Sequence, residues 1–195
     1  MKPLELFFPL DSWFVGQGFG QCHPAVCDFY KSLGLKGHNG LDVRAAVGDI
    51  VRAAHDGIVS FAGEDQTSGY TISIRTHDKR KYGLDGAYFK TIYCHLSKGS
   101  FRVTAGQSVK VGDIIALAGM TGKTTGPHLH FGLKPVYKGE EEWQLANAEP
   151  LNGFFGAINP EPFFNNIYAK DAQDILQKYN LIISILQRWV GILKI

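Results

Sequence analysis

The 195-residue chain has no run of about 20 uncharged apolar residues, so it offers no membrane-spanning helix. It has no strong charge of either sign: 20 Lys and Arg stand against 18 Asp and Glu, a formal net charge of +2. Phosphate binding usually leaves a basic footprint, so nucleic acid is not the expected partner. A secretory leader is not visible, because Pro3, Pro9 and Asp11 interrupt the first apolar stretch and Lys2 is its only basic flank. Cysteine is scarce, and the 3 residues present are an odd number. Cys22 and Cys27 are close enough to pair, which would leave Cys94 over; three ordinary thiols fit the count equally. No C-x-x-C pair marks a cysteine zinc site. No H-E-x-x-H is present, which excludes a helix-based zinc protease. Gly106-Gln107-Ser108 lacks the closing glycine of a nucleophile elbow.

Glycine, by contrast, is abundant: 23 of 195 residues, about 12% against a usual ~7%. With charged residues at only 19%, this points to many tight turns and a β-rich domain. A hydrophobic content of 45% excludes general disorder and suffices for a core. Residues 1–37 read as an irregular lead-in, with one short helical turn from Asp28 to Leu33 stopping at Gly34. Short β-branched runs bounded by glycine then predict strands near 41–44, 50–54, 57–63, 70–77, 89–95, 114–118 and 128–135. The polar stretch from Asp78 to Gly86 reads as a long hairpin loop. Val47-Gly48-Asp49-Ile50 resembles Val111-Gly112-Asp113-Ile114. Two such corners favour a barrel- or sandwich-like sheet.

Residues 139–162 are acidic, then rich in Gly, Asn and Pro, and read as an ordered insertion or lid. Beyond Pro162 the pattern turns helical, with Ile175, Tyr179, Ile182, Leu186, Trp189 and Leu193 spaced by threes and fours. The expected organisation is therefore a main domain over 1–169, including the irregular lead-in, and an amphipathic helix over 170–195. That helix can pack on its own domain, mediate self-association or partner docking, or lie on a membrane surface.

Seven histidines supply candidates for chemistry. In the strand Pro127-His128-Leu129-His130-Phe131-Gly132-Leu133, side chains alternate faces, so His128 and His130 point one way. Leu129, Phe131 and Leu133 point the other way, into a core. In His38-Asn39-Gly40-Leu41-Asp42, a loop entering a strand can bring an imidazole and a carboxylate together, a donor pair suited to zinc. In Tyr93-Cys94-His95, strand alternation puts Cys94 and His95 on opposite sides, which argues against a Cys–His nucleophile pair. His23, His55 and His77 read as structural or solvent-facing.

Taken in order, His38-x-x-x-Asp42, Tyr93-x-His95-Leu96-Ser97 and Gly126-x-His128-Leu129-His130-Phe131 resemble the lysostaphin/LytM-type zinc endopeptidases. Gly18-Phe19-Gly20, Ala53-Ala54-x-Asp56-Gly57-x-Val59, Val109-x-x-Gly112-Asp113 and Ile158-Asn159-Pro160 support the resemblance over residues 14–165. The resemblance implies a mainly β fold: an antiparallel sheet crossed by a substrate groove, of the duplicated-hybrid-motif type, followed here by the C-terminal helix. It implies one zinc ion per chain, held by His38, Asp42 and His130. It gives His95 and His128 catalytic roles and makes peptidoglycan peptides the substrate class, with action at the cell wall. In a metal-activated-water mechanism His128 would accept the water proton, while His95 would orient the water and stabilise the oxyanion; the two roles can be exchanged. The long loop Asp78–Phe89 and the segment 139–157 are expected to wall the groove. The competing readings are a non-catalytic LytM-like module that binds wall or activates a hydrolase, and a lipoyl-like carrier with Lys123 as its modified lysine. Metal content separates the enzyme from both.

Overall fold

All seven strands anticipated from the glycine-bounded runs form in the computed structural model, which describes residues 1–138, 143–145 and 152–165. In chain order the elements are β1 (Val15–Gln17), α1 (Pro24–Ser32), β2 (Leu41–Arg44), β3 (Ile50–Arg52), β4 (Gly57–Asp65) and β5 (Gly69–Thr76). They continue with β6 (Tyr88–Leu96), β7 (Ser108–Val109), β8 (Ile114–Leu117), β9 (His128–Lys138), β10 (Trp143–Leu145) and a 3-10 turn at Glu161–Phe163. An antiparallel sheet runs in the order β1-β2-β9-β6-β5-β4-β7, with β10 also paired to β9. β3 and β8 form a separate two-stranded sheet. The helix expected over 170–195 lies outside the described residues.

Alternation along β9 builds the core as expected. Leu129, Phe131 and Leu133 are fully buried, as are Leu41 on β2 and Tyr93 on β6. Directly paired residues share a face, so Leu41, Phe131 and Tyr93 form one apolar row across three strands. The two-stranded sheet lies against this face and contributes Val51, Ile115 and Ala116 to the same cluster. The Tyr93 hydroxyl accepts from Ala54 N at 2.8 Å, so the largest polar group of that row is satisfied within the core.

Each of the repeated Val-Gly-Asp corners bonds to the end of the strand that follows the other corner. Gly48 N donates to Ala118 O at 2.9 Å, and Ala118 N returns a bond to Asp49 O at 2.8 Å. At the other corner Gly112 N donates to Ala53 O and Ala53 N to Asp113 O, both at 2.9 Å. Each aspartate also accepts from the backbone N three residues earlier, at 2.8 Å. Both glycines have left-handed φ, +100° and +87°, which an L side chain adopts only with strain. Similar sequence thus produces two similar turns, one at each end of the β3–β8 pair.

Two expectations need correction. The lead-in is more than irregular: Leu4, Leu6 and Leu10 are buried, Leu6 bridges to Phe164, and Trp13 meets Phe131 edge-on at 6.4 Å. Its helix starts at Pro24, four residues before the expected turn, because proline is well placed at the first helical position. His23 caps that helix by accepting from Ala25 N at 3.3 Å, a structural role. The loop after β5 does not wall the groove. Arg80 and Ala87 bond each other in both directions and Lys81 N donates to Lys2 O, so the loop packs on the N-terminal segment.

Cys22 and Cys27 are joined in a disulfide across the start of α1, and Cys94 is free and buried. His55 is buried and structural: Nδ1 donates to Asp56 O at 2.9 Å and Nε2 accepts from Thr91 Oγ1 at 3.0 Å. His77 is exposed.

Burial pushes the His55 pKa from 6.5 down to about 4. The unfolded chain therefore binds the proton more tightly, and this contribution is present above pH 6.5 and lost as pH falls toward 4. Urea unfolding at pH 7 and pH 4 should show a loss of about 3 kcal/mol from this group. His55→Gln should remove that part of the pH dependence; an unchanged pH slope in the variant would refute the assignment.

Candidate metal centre

Strand register assembles the site. β2, β9 and β6 are neighbours, and Asp42, His130 and Cys94 stand opposite one another across them. They occupy the face opposite the Leu41–Phe131–Tyr93 row. His128 shares the face of His130, two residues earlier on β9. His38 arrives from the loop before β2, and that loop is fixed by its backbone. His38 N donates to Gln21 O at 2.9 Å and Gly20 N to His38 O at 2.7 Å.

Three histidine nitrogens converge on one carboxylate oxygen. His38 Nε2 and His130 Nδ1 are each 3.0 Å from Asp42 Oδ1, and His128 Nε2 is 3.4 Å away. His38 Nε2 is 2.9 Å from His130 Nδ1. Backbone carbonyls set the tautomers, because only a ring N–H satisfies a carbonyl oxygen. His38 Nδ1 donates to Gly18 O at 3.2 Å, His128 Nδ1 to Gly126 O at 2.9 Å and His95 Nδ1 to Thr121 O at 2.7 Å. Each neutral ring is then left with a lone pair at Nε2.

His38, Asp42 and His130 each offer a donor atom, and these lie within 4.8 Å of one another. Tetrahedral zinc with bonds near 2.0–2.2 Å separates its ligands by about 3.3 Å. Two imidazole nitrogens and one carboxylate oxygen at 2.9–3.0 Å fit that arrangement in both spacing and chemistry. His38 is buried to 1% exposure, with its Nε2 turned to these donor atoms.

The electrostatics divide the ring set. Burial would raise the Asp42 carboxyl, but the close approach of the His128, His130 and His38 rings holds it well below the usual carboxylate range. Burial lowers His95 to about 4, which keeps it neutral at pH 7. Burial opposes charge on His128 too, yet its bond to Asp42 raises its pKa above the ordinary value. Two histidines beside one centre are thus pushed in opposite directions.

His95 reaches the site by breaking alternation. Tyr93 faces the core and Cys94 the site, so a regular strand would turn His95 toward the core. Its backbone instead adopts a left-handed φ of +62°, and its ring lies 4.7 Å from that of His128. Cys94 and His95 therefore line the same cavity, contrary to the expectation of opposite sides. The thiol is still no nucleophile: burial pushes its pKa up to about 11.

All five residues singled out in the sequence line one cavity of about 690 Å³. One wall is the apolar face of α1, with Ala25, Val26, Phe29 and Leu33; the floor includes Ile92, Gly132 and Lys134. Lys123 reaches from the opposite loop to within 5.7 Å of the Phe29 ring centre. From the segment 139–157, Phe155 lines the cavity, and no residue of the 78–89 loop does. The sequence reading missed the α1 wall, the Gly18 and Thr121 carbonyls and Lys134. The carbonyls had no signal, since any residue type carries one.

Comparison with known proteins agrees with this geometry. Residues 36–144 match Peptidase family M23. Peptidoglycan DD-endopeptidase ShyC of Vibrio cholerae is 31% identical over 187 residues, covering 94% of this chain and 38% of that protein. The chain thus spans well under half the length of that relative. A zinc containing peptidase from Vibrio cholerae shares the fold with a TM-score of 0.53 at 31% identity, over 68% of this chain and 37% of the other. The catalytic domain of the antimicrobial peptidase lysostaphin from Staphylococcus simulans gives a TM-score of 0.55 at 27% identity, over 77% of this chain and 91% of that domain.

Gly40 shows how tightly the centre is built. A Cβ there would lie 2.7 Å from the His130 ring and 2.7 Å from Phe131 O. Gly40→Ala should cost about 1–3 kcal/mol in urea unfolding, since backbone and a metal-site ring must both give way. It should also weaken metal binding; a variant with unchanged stability and metal affinity would contradict this packing.

Proposed function

The chain belongs to Peptidase family M23, and from that premise we propose that it is a zinc-dependent endopeptidase cleaving peptide bonds in peptidoglycan. The observation that carries the reading is the convergence of His38, Asp42 and His130 beside two further histidines in one cavity. One zinc ion per chain would be held by His38 Nε2, Asp42 Oδ1 and His130 Nδ1. Two neutral imidazoles and one carboxylate make an open, three-ligand donor set of the catalytic rather than the structural type. When bound, zinc supplies Lewis acidity, which lets water ionise near neutrality and polarises a carbonyl.

The remaining steps belong to the chain. His128 takes the water proton at Nε2, because its Nδ1 proton is engaged by Gly126 O. The neighbouring Asp42 carboxylate stabilises the imidazolium so formed. The same imidazolium then delivers a proton to the departing amine. His95 gives its Nδ1 proton to Thr121 O, so a neutral ring offers only a lone pair at Nε2. That lone pair suits holding the attacking water, not donating to an oxyanion. Of the two tasks considered for His95, this arrangement favours the orientation of water.

Action at the cell wall, outside the cytoplasm, fits the Cys22–Cys27 disulfide, since such bonds persist in oxidising surroundings. ShyC, named a peptidoglycan DD-endopeptidase, supports peptidoglycan as the substrate.

His128→Ala should keep about one zinc per chain and lose hydrolysis by about 10²–10⁴-fold, the range for removing a general base. His38→Ala should lose both metal and activity. Full zinc occupancy in the His38 variant would overturn the ligand assignment. Purified walls of differing cross-link chemistry, digested with and without chelator and read by mass spectrometry, test the activity itself. New amino termini that vanish with chelation are expected; their absence on every wall would refute the peptidase reading.

A further inference from the structure

The face that carries His130 continues along β6 and β9. Register pairs Cys94 with His130, Ile92 with Gly132 and Lys90 with Lys134. Period-2 alternation places these three rows on one face. Two lysines therefore stand directly opposite each other, an arrangement that is unfavourable for like charges. β5 adds a third cation to the row, with Arg75 paired to Lys90. Arg75 has bonds of its own, including Nη1 to Thr76 O at 2.8 Å, and its guanidinium lies over the Tyr88 ring. The lysines differ: among the described residues no carboxylate lies within ion-pair distance of either.

Lys134 is half-buried and lines the cavity that holds the histidines. Burial first, and Lys90 second, lower its pKa to about 8. Burial lowers Lys90 as well. A desolvated cation on a cavity floor, facing a second cation and no counterion among the described residues, is unfavourable until an anion arrives.

We propose that Lys134, backed by Lys90, is a specificity-determining residue that receives a carboxylate of the substrate peptide. The proposal rests on the peptidase reading above and narrows its substrate class. Lys134 lies four residues from His130 on β9, about 13 Å along the strand. An extended peptide covers about 3.3–3.6 Å per residue. The carboxylate therefore belongs to a residue some three or four positions from the cleaved bond, or nearer where the flexible lysine stem reaches back toward the metal. Acidic stem peptides, with carboxylates on side chains and termini, supply such a group. A cross-bridge of glycine residues supplies none.

The test uses the zinc-loaded full chain and two cross-linked stem-peptide substrates, one with free carboxylates and one with the same groups amidated. A charge-assisted pair of this kind should make the wild-type kcat/KM about 10- to 100-fold higher for the acid form. Lys134→Met should lose that preference by slowing only the acid substrate, chiefly through KM, and Lys134→Arg should restore most of it. Equal wild-type rates on both substrates, or a Lys134→Met variant that slows both equally, would overturn the proposal. Calorimetry with an uncross-linked stem tetrapeptide, acid or amidated, decides the point without hydrolysis. At least about tenfold tighter binding of the acid form by wild type, absent in Lys134→Met, is expected. Equal binding of both forms would refute the subsite even if the walls are cleaved. Cleavage of nothing with preserved acid preference would instead refute the peptidase reading alone.

Discussion

A single carboxylate oxygen organises the molecule's chemistry. Asp42 Oδ1 has His38 and His130 nitrogens at 3.0 Å and a His128 nitrogen at 3.4 Å. Such a cluster of lone pairs does not hold itself together. Sheet register brings Asp42 beside His130, and backbone carbonyls pin the rings of His38, His128 and His95 by their other nitrogen. The fold therefore aims the donors before any metal arrives, which leaves little reorganisation for the chemistry to supply. The apolar face of the same strands, Leu41, Phe131 and Tyr93, anchors the register that does this.

Much of this arrangement is readable from residue order. The alternation His128-Leu129-His130-Phe131 separates site from core, because a strand has only two faces and one of them is apolar. The spacing of His38 and Asp42 around Gly40 anticipates a loop feeding a strand. The Val-Gly-Asp repeat announces two corners, although nothing local says that each bonds to the strand that follows the other. His95 escapes such reading: a left-handed residue inside a strand reverses its side chain, and no histidine code marks it. The first part of α1 escapes it too, since Pro24 reads as a breaker until its position at the first turn is known. The loop after β5 was misplaced because its length suggested a wall, whereas its backbone partners lie in the N-terminal segment.

The cavity is asymmetric in character. The α1 wall is apolar, the metal end is crowded with imidazoles, and the far floor is cationic. A peptide lying along β6 and β9 would meet these environments in sequence. On the proposed peptidase reading, binding free energy would then be spread over several residues of the substrate, with bond breaking confined to one end. The Cys22–Cys27 bridge ties the start of α1 to the preceding loop, so the apolar wall is joined covalently to the segment whose Gly18 and Gln21 carbonyls hold His38.

The backbone at His95 has a further meaning. A left-handed φ on a residue with a Cβ costs about 1–3 kcal/mol, and glycine would relieve it. Selection for thermal persistence alone would remove histidine from this place. On the proposed mechanism, its presence is a compromise that gives up durability for an imidazole at one point in space. On the same reading, efforts to harden this scaffold by replacing strained residues would erode the proposed chemistry at the very position where the gain in stability looks easiest.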